Sequence, residues 1–367
     1  MATRTTGLPP DVVDVPGTGP LEVNRAWPRG PGHVLLELRF EDVVLAGQWW
    51  ADPAHLTEAT ARYARTPARV SGDVLVHLGG ADRRLTALQE ELASPGARLL
   101  GHRAERRAVV RRADGHFVKH VRPRRIESVA LGMSAAARLV GSVAVVPPVE
   151  PVDTGAGTAV LAPVEGSTLL ELGRDPATPQ ATLRAAWRAA GTVAAALHSA
   201  HPSGLVRWTA PEEIDSVMRL VGPAVDAGFL PESGWQPVCE RVLALPPAPA
   251  VPVHRDLHDQ QLLWDGRRMG LIDCDTLSAG DPAGDVANVL VHLDLRQAQQ
   301  LLTPARAAAA AADFLAALDP APAVLARVDA HRALTTLRLA ALYAWRPRWR
   351  HLVPPLLESA VTGRRPW

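Results

Sequence analysis

Short apolar runs separated by turn residues occupy the chain up to about residue 165, and helically spaced apolar positions take over beyond it. Residues 34–40 (VLLELRF) and 43–50 (VVLAGQWW) predict two strands around a Glu-Asp turn. Asp52-Pro53 predicts the start of a short helix, because proline is tolerated in the first helical turn. Residues 74–78 predict another strand, and 84–92 carry helical spacing. Strands at 97–100, 108–112 and 116–121 follow; an Asp114-Gly115 pair between the last two favours a hairpin. A helix over 125–139, a Pro147-Pro148 break and a strand at 158–162 complete this half. After 163–166, helices are predicted over 178–197, 235–245, 285–293, 303–318 and 323–345, with a shorter C-terminal piece. Thr209 and Glu212 have the spacing of a capping box around Pro211. Strands in one half and helices in the other predict an α+β chain with segregated halves.

Composition narrows the picture only a little. A chain of 367 residues that is 47% hydrophobic can build a substantial core. A net charge of +1 gives no reason to expect a nucleic-acid or membrane partner. Two cysteines, Cys239 and Cys274, point to a reducing compartment, and the expected location is the cytoplasm. The opening MATRTTGLPPDVVDVPGTGP lacks the apolar core of a signal peptide and predicts a flexible lead-in over residues 1–30. The longest Ala run, 307–312, is far too short to cross a bilayer. No repeat at solenoid spacing is present, and nothing here decides the oligomeric state.

Candidate chemistry gathers in residues 251–282, VPVHRDLHDQQLLWDGRRMGLIDCDTLSAGDP. Val251 to Val253 leads into a polar loop, residues 262–264 resume the apolar pattern, and Asp265-Gly266 turns the chain back through 269–272. Such a hairpin can bring Asp256, Gln261 and Asp273 together. Three oxygen donors suit a hard divalent cation, and an aspartate can take the proton of an attacking hydroxyl. The competing reading makes Asp256 and Asp273 surface turn caps.

These residues carry a family resemblance. The loop His254-Arg255-Asp256-Leu257-His258-Asp259-Gln260-Gln261, then Ile272-Asp273-Cys274-Asp275, then Gly280-Asp281-Pro282-Ala283-Gly284-Asp285, resembles the core of the aminoglycoside phosphotransferase-like kinases. The resemblance implies a bilobal protein-kinase-like fold, with an N-terminal antiparallel sheet lobe and a mainly helical C-terminal lobe. It implies ATP-dependent transfer of the γ-phosphate to a hydroxyl of a sugar, aminoglycoside or related metabolite, with Mg2+. Asp256 stands as catalytic base or hydroxyl-orienting residue, and Asp273 as a metal ligand. Gln261 stands where most relatives have Asn and maltokinase-like relatives resemble this chain in having Gln. It is expected as a variant metal ligand, with an inert loop amide as the alternative. His254 is expected to fix the loop, Asp281 and Asp285 to support it or start a helix, and Asp275 to approach the metal or cap a turn. Lys119, in the strand at 116–121, is implied as the phosphate-contacting lysine, with Glu127 as its ion-pair partner. Ala162 and Val164 would offer the hinge backbone to adenine.

Residues 99–108, ahead of Lys119, hold a single glycine, Gly101, so no Gly-rich phosphate loop is present there. Arg103, Arg106 and Arg107 either meet nucleotide phosphates or form a solvated turn. Domain boundaries follow as a cap-like α+β segment at 31–95, a kinase N-lobe at 96–166 and a helical C-lobe at 167–367. Trp49-Trp50 on one strand point to opposite faces, so at least one is core rather than a sugar platform. The cluster Trp345, Arg346, Arg348, Trp349 and Arg350 is expected as helix-end packing. The alternative function is a kinase-fold nucleotide-binding or regulatory module with little turnover; a metal hydrolase would leave Lys119 unexplained.

Overall fold

The computed structural model describes residues 7–364. The chain opens with β1 (Val12–Val15), β2 (Gly19–Gly30), β3 (His33–Phe40), β4 (Val43–Trp50), α1 (Pro53–Arg62), β5 (Ala68–Ser71) and β6 (Val74–His77). These strands make one six-stranded sheet in the order β1-β2-β3-β4-β6-β5. Residues 12–15 and 19–30 are therefore paired strands, a correction to the flexible lead-in expected from their Pro and Gly content. Val13, Val15, Leu21 and Val23 alternate into the core, and that burial outweighs the local turn preference.

A short helix α2 (Leu88–Ala93) precedes β7 (Arg98–Arg103), β8 (Arg107–Arg111) and β9 (Phe117–Val121). Helix α3 (Pro123–Val140), β10 (Ala144–Val145), β11 (Val149–Asp153) and β12 (Thr158–Leu161) follow. The second sheet runs β11-β12-β9-β8-β7, all antiparallel, with α3 packed on it. The rest is mainly helical. It comprises β13 (Ser167–Thr168), α4 (Leu169–Arg174), α5 (Gln180–Ser199), α6 (Ala210–Asp226) and α7 (Gln236–Leu243). Then come β14 (Val251–Val253), β15 (Leu262–Trp264), β16 (Met269–Leu271), β17 (Ser278–Gly280), α8 (Pro282–Ala298), α9 (Pro304–Leu318), α10 (Pro322–Tyr343) and α11 (Val353–Thr362). This is a bilobal α+β architecture with an antiparallel sheet lobe and a mostly helical lobe: the segregated halves follow the strand and helix patterns, and the two-lobed arrangement follows the family resemblance.

The first sheet is not confined to the sheet lobe. Val34, Leu36, Leu38 and Trp49 share one hydrophobic core with Val217 of α6, Leu337 of α10 and Leu356 of α11. On the opposite face, Leu35 and Ala46 pack against Ala104 of the β7–β8 turn. Strand β3 is thus buried on both faces, which is why VLLELRF reads as a nearly continuous apolar run. Both neighbouring tryptophans are buried, Trp49 against the helical lobe and Trp50 against α1. The late basic aromatic cluster lies at this seam. Trp345 is buried, its carbonyl accepts from the Ala26 N–H at 2.8 Å, and Arg350 bonds Asp11.

A buried polar chain runs across the first sheet into the loop that follows β6. The His33 ring donates to Gln48, Gln48 donates to His77 Nε2 at 3.0 Å, and His77 Nδ1 donates to the Ala81 carbonyl at 2.9 Å. Every ring is used in its neutral form, and a proton on His77 Nε2 would face the Gln48 amide donor. Burial, joined at His77 by the neighbouring His102, pushes His77 down to about 4, and burial does the same to His120, whose two ring nitrogens are buried without partners. These groups have folded pKa values below their unfolded value of 6.5, so their stabilisation is complete above that pH. It drains away as pH falls toward 4, because the unfolded chain takes up the protons first. For fully buried His77 the loss amounts to roughly 3 kcal/mol. Denaturant unfolding followed between these two pH values should show a steadily falling midpoint; a flat profile would contradict the neutral network.

Candidate active site

The loop between β14 and β15 owes its shape to one buried carboxylate. Asp285, in the first turn of α8, accepts the backbone N–H of His254 at 2.8 Å and of Arg255 at 2.7 Å, with His198 at 3.2 Å. Burial alone would raise its carboxyl, but the His198 bond and the loop contacts hold it below the usual range. These bonds support Arg255 in a left-handed conformation, φ +68°, an unusual state for a residue with a side chain. His254 donates from Nε2 to the Ile272 carbonyl at 3.1 Å and accepts the Asp256 N–H at 3.3 Å. Thr276 returns a bond to the His254 carbonyl, and Asn288 of α8 bonds the Leu257 carbonyl, both at 2.8 Å. Deeper in, Arg296 clamps Asp259 through two bonds of 2.8 and 3.0 Å. Burial opposes ionisation there, yet Arg296 and His258 draw the Asp259 carboxyl down to about 2.

On this frame Asp256 keeps a partly exposed carboxylate, 3.5 Å from Arg338 and 3.8 Å from His258. The β15–β16 hairpin forms as the Asp265-Gly266 pair predicts, with Gly266 at φ +98° and the Asp265 side chain accepting from the Arg267 and Arg268 N–H groups. It carries Gln261 at its start and Asp273 beyond its end, and the Ile272 N–H bonds the Gln261 carbonyl at 3.0 Å. Gln261 and Asp273 line one cleft of about 420 Å3 together with Lys119, Asp275, Ala162 and Val164.

Lys119 departs from expectation. Its ammonium bonds Asp273 and Asp275, each at 2.6 Å, while Glu127 is exposed on α3. The Lys119–Glu127 pair is therefore corrected to Lys119–Asp275 and Lys119–Asp273. The reason is packing: α3 meets the 274–275 backbone through Gly132, where any Cβ would lie 2.6 Å from the Cys274 carbonyl. That close approach brings Asp275 to the lysine. Burial would lower the Lys119 pKa, but the two aspartates outweigh it and raise it; Asp273, pushed up by burial, is pulled below its usual value by Lys119.

The chemistry of the donor set fits a hard cation. Gln261 and Asp273 supply amide and carboxylate oxygen, and Asp275 Oδ1 is a buried oxygen without a partner. Gln261 turns its amide nitrogen to His258, 3.4 Å away, which leaves the amide oxygen unspent. Asp256, His258 and His292 also lie close together, but the two imidazoles stack at 4.2 Å and 5°. Imidazole lone pairs lie in the ring plane, so parallel stacked rings do not converge on one ion. That trio is packing around the loop. Asp281 caps α8 and is held by Arg327 and His331, on the side of the loop away from the cleft.

The first sheet supplies residues that no motif indicated. Arg25, Trp27, Glu37 and Arg39 join the cleft lining, beside Arg103 and Arg107 of the β7–β8 hairpin. The Arg103 guanidinium stands over the Trp27 ring at 5.0 Å, and burial with Arg107 and Arg106 nearby lowers it to about 10. Only the packing of the first sheet against the β7–β8 hairpin reveals this wall.

Comparison with known proteins follows the same lines. A family model described as the phosphotransferase enzyme family matches residues 91–302. Curated protein sequences give no match. Among solved structures, the gentamicin complex of APH(2")-IIa is 13% identical, covering 78% of this chain and 98% of that one, with a TM-score of 0.52. Amicoumacin kinase hAmiN, in complex with AMP-PNP and Ca2+, is 15% identical over 74% of this chain and 90% of its own, at 0.51. Aminoglycoside phosphotransferase APH(3'')-Id from Streptomyces rimosus is 22% identical over 70% and 96%, at 0.50. At these identities the structural likeness establishes the protein-kinase-like fold. With the family match spanning more than half of its length, the chain belongs to the phosphotransferase enzyme family of aminoglycoside phosphotransferase-like small-molecule kinases.

Proposed function

We propose that this protein moves the γ-phosphate of ATP onto a hydroxyl of a small molecule, with Mg2+ as cofactor. The observation that carries this reading is the placement of the 254–261 loop between two cavities. One is the cleft with Lys119, Gln261 and Asp273; the other, about 380 Å3, reaches Arg255 and Arg338 beside Asp256. In this reading adenine lies against the 162–164 backbone and the phosphates reach Lys119. Gln261 and Asp273 hold Mg2+, which when bound neutralises charge on the phosphates. Asp256 orients the acceptor and takes its hydroxyl proton as the oxygen bonds to the γ-phosphorus and the bond to ADP breaks.

The second cavity also bears on the acceptor. Four arginines line it: Arg207, Arg255, Arg327 and Arg338. Its carboxylates are already engaged: Glu213 with the Trp208 ring N–H, Asp281 with Arg327 and His331, and Asp285 with the loop backbone. The Arg255 guanidinium lies over the Trp208 ring, 3.4 Å from its centroid. Four arginines against three carboxylates leave this lining with a small positive excess, which favours a neutral or acidic hydroxyl compound, such as a sugar or sugar acid, over a polycation. The test is ATP turnover over neutral, acidic and polycationic hydroxyl compounds. Aminoglycosides should fall behind the best neutral or acidic acceptor by a factor on the order of 100 in kcat/KM. A polycation as the best acceptor would defeat the charge argument. Nucleotide binding with no transfer to any compound would favour a regulatory module, and failure to bind Mg–ATP would end the kinase reading.

A further inference from the structure

A second basic cavity, of about 250 Å3, lies in the N-terminal sheet away from the residues assigned to phosphotransfer. Its floor is polar: buried Gln48 and the Tyr63 hydroxyl with half-buried His33, beside the Trp50 ring that stacks on His33 at 4.5 Å. Its rim carries Arg29, Arg62, Arg83 and Arg84. Four guanidinium groups face a single lining carboxylate, Glu105. Arg62 also has Glu58 at 3.9 Å, but both are exposed and that pair is weak. Burial and the nearby Arg29 hold His33 neutral, its pKa pushed down to about 4, so the floor is uncharged, with Gln48 bonded to His33 and His77 and the Tyr63 hydroxyl to Glu105. A cationic rim above a neutral polar floor is the arrangement that binds a phosphate ester through its anion and its hydroxyls. The volume falls below that of drug-sized sites, which restricts the ligand to a small metabolite.

Glu105 links this cavity to the nucleotide cleft. It stands at the tip of the β7–β8 hairpin at φ +56°, and its neighbours Arg103 and Arg107 line the cleft. Its side chain accepts from Arg29 at 3.1 Å and Tyr63 at 3.0 Å, and lies 3.5 Å from Arg84. Its N–H bonds Asp82 at 2.6 Å and its carbonyl takes a bond from Arg122 at 2.9 Å. A phosphate entering the cavity competes with Glu105 for Arg29 and Arg84, and so acts on the turn that roofs the cleft.

We propose that this cavity binds a small phosphorylated metabolite, and that its occupancy changes nucleotide affinity through the Glu105 turn. The binding itself does not depend on the kinase reading; only the coupling does. Calorimetry on the full chain with excess Mg–ADP, titrating inorganic phosphate, glucose 6-phosphate or glucose, tests it. Both phosphates should bind in the millimolar range or tighter, with glucose 6-phosphate the tighter and glucose silent. Equal affinity for the two would name free phosphate as the ligand of the same site. Arg83→Gln/Arg84→Gln, at exposed positions that leave the fold alone, should weaken both at least about tenfold; Arg29→Gln should do the same. Saturating phosphate ligand should shift Mg–ADP affinity about fivefold or more, and not in the double variant. Absence of phosphate binding, or binding unchanged in both variants, overturns the site. Binding without any shift in nucleotide affinity overturns the coupling.

Discussion

Under the proposed phosphotransfer, Asp256→Asn should lower the turnover number by about a thousandfold while leaving Mg–ADP affinity near the parental value. The carboxylate is partly exposed and stands outside the cleft lined by Lys119, Gln261 and Asp273. Nucleotide binding therefore has little reason to change. The amide keeps the side chain's shape, and the loop around it is held by Asp285, His254 and Asn288 rather than by Asp256 itself. What disappears is a group able to take the acceptor's proton. Steady-state kinetics and ADP titration on the same preparation separate the two effects. Turnover of the parental order in the variant would remove Asp256 from the mechanism.

Asp285→Asn should be costly for a different reason. The residue is almost wholly buried, and its two oxygens accept both loop N–H groups and face His198. An amide of the same size presents an NH2 where one of those donors points. The result is two buried donors facing each other, a loss of roughly 2–4 kcal/mol. The strained Arg255 conformation loses its support at the same time, so turnover should fall alongside the unfolding midpoint. Chemical denaturation and kinetics measure both, and parental values in both would show that Asp285 does not shape the loop. Asp256→Asn, by contrast, should leave the unfolding midpoint almost unchanged, which separates loss of chemistry from loss of loop structure.

Much of this site was legible along the chain. The 262–271 hairpin follows from short apolar runs on either side of Asp265-Gly266, whereas the helix expected over 285–293 begins earlier, at Pro282, where the Asp281 side chain caps it. The Thr209–Glu212 capping box forms as its spacing predicts. Each depends on groups within a few residues of one another. The lead-in misreads for the same reason: Pro and Gly in residues 1–30 signal local turns, whereas pairing with β3 and burial against the helical lobe decide the strand.

The sequence by itself determined the segregated α+β pattern, the His254–Gln261 loop and the return to Asp273, because turn chemistry and alternation act over short distances. Only the tertiary structure decided that Lys119 meets Asp275 rather than Glu127, since that choice rests on Gly132 letting α3 approach the 274–275 backbone. It also decided that the first sheet wedges between both lobes and lends Arg25, Trp27 and Arg39 to the cleft. These contacts join residues more than fifty positions apart, where spacing along the chain carries no information about distance in space.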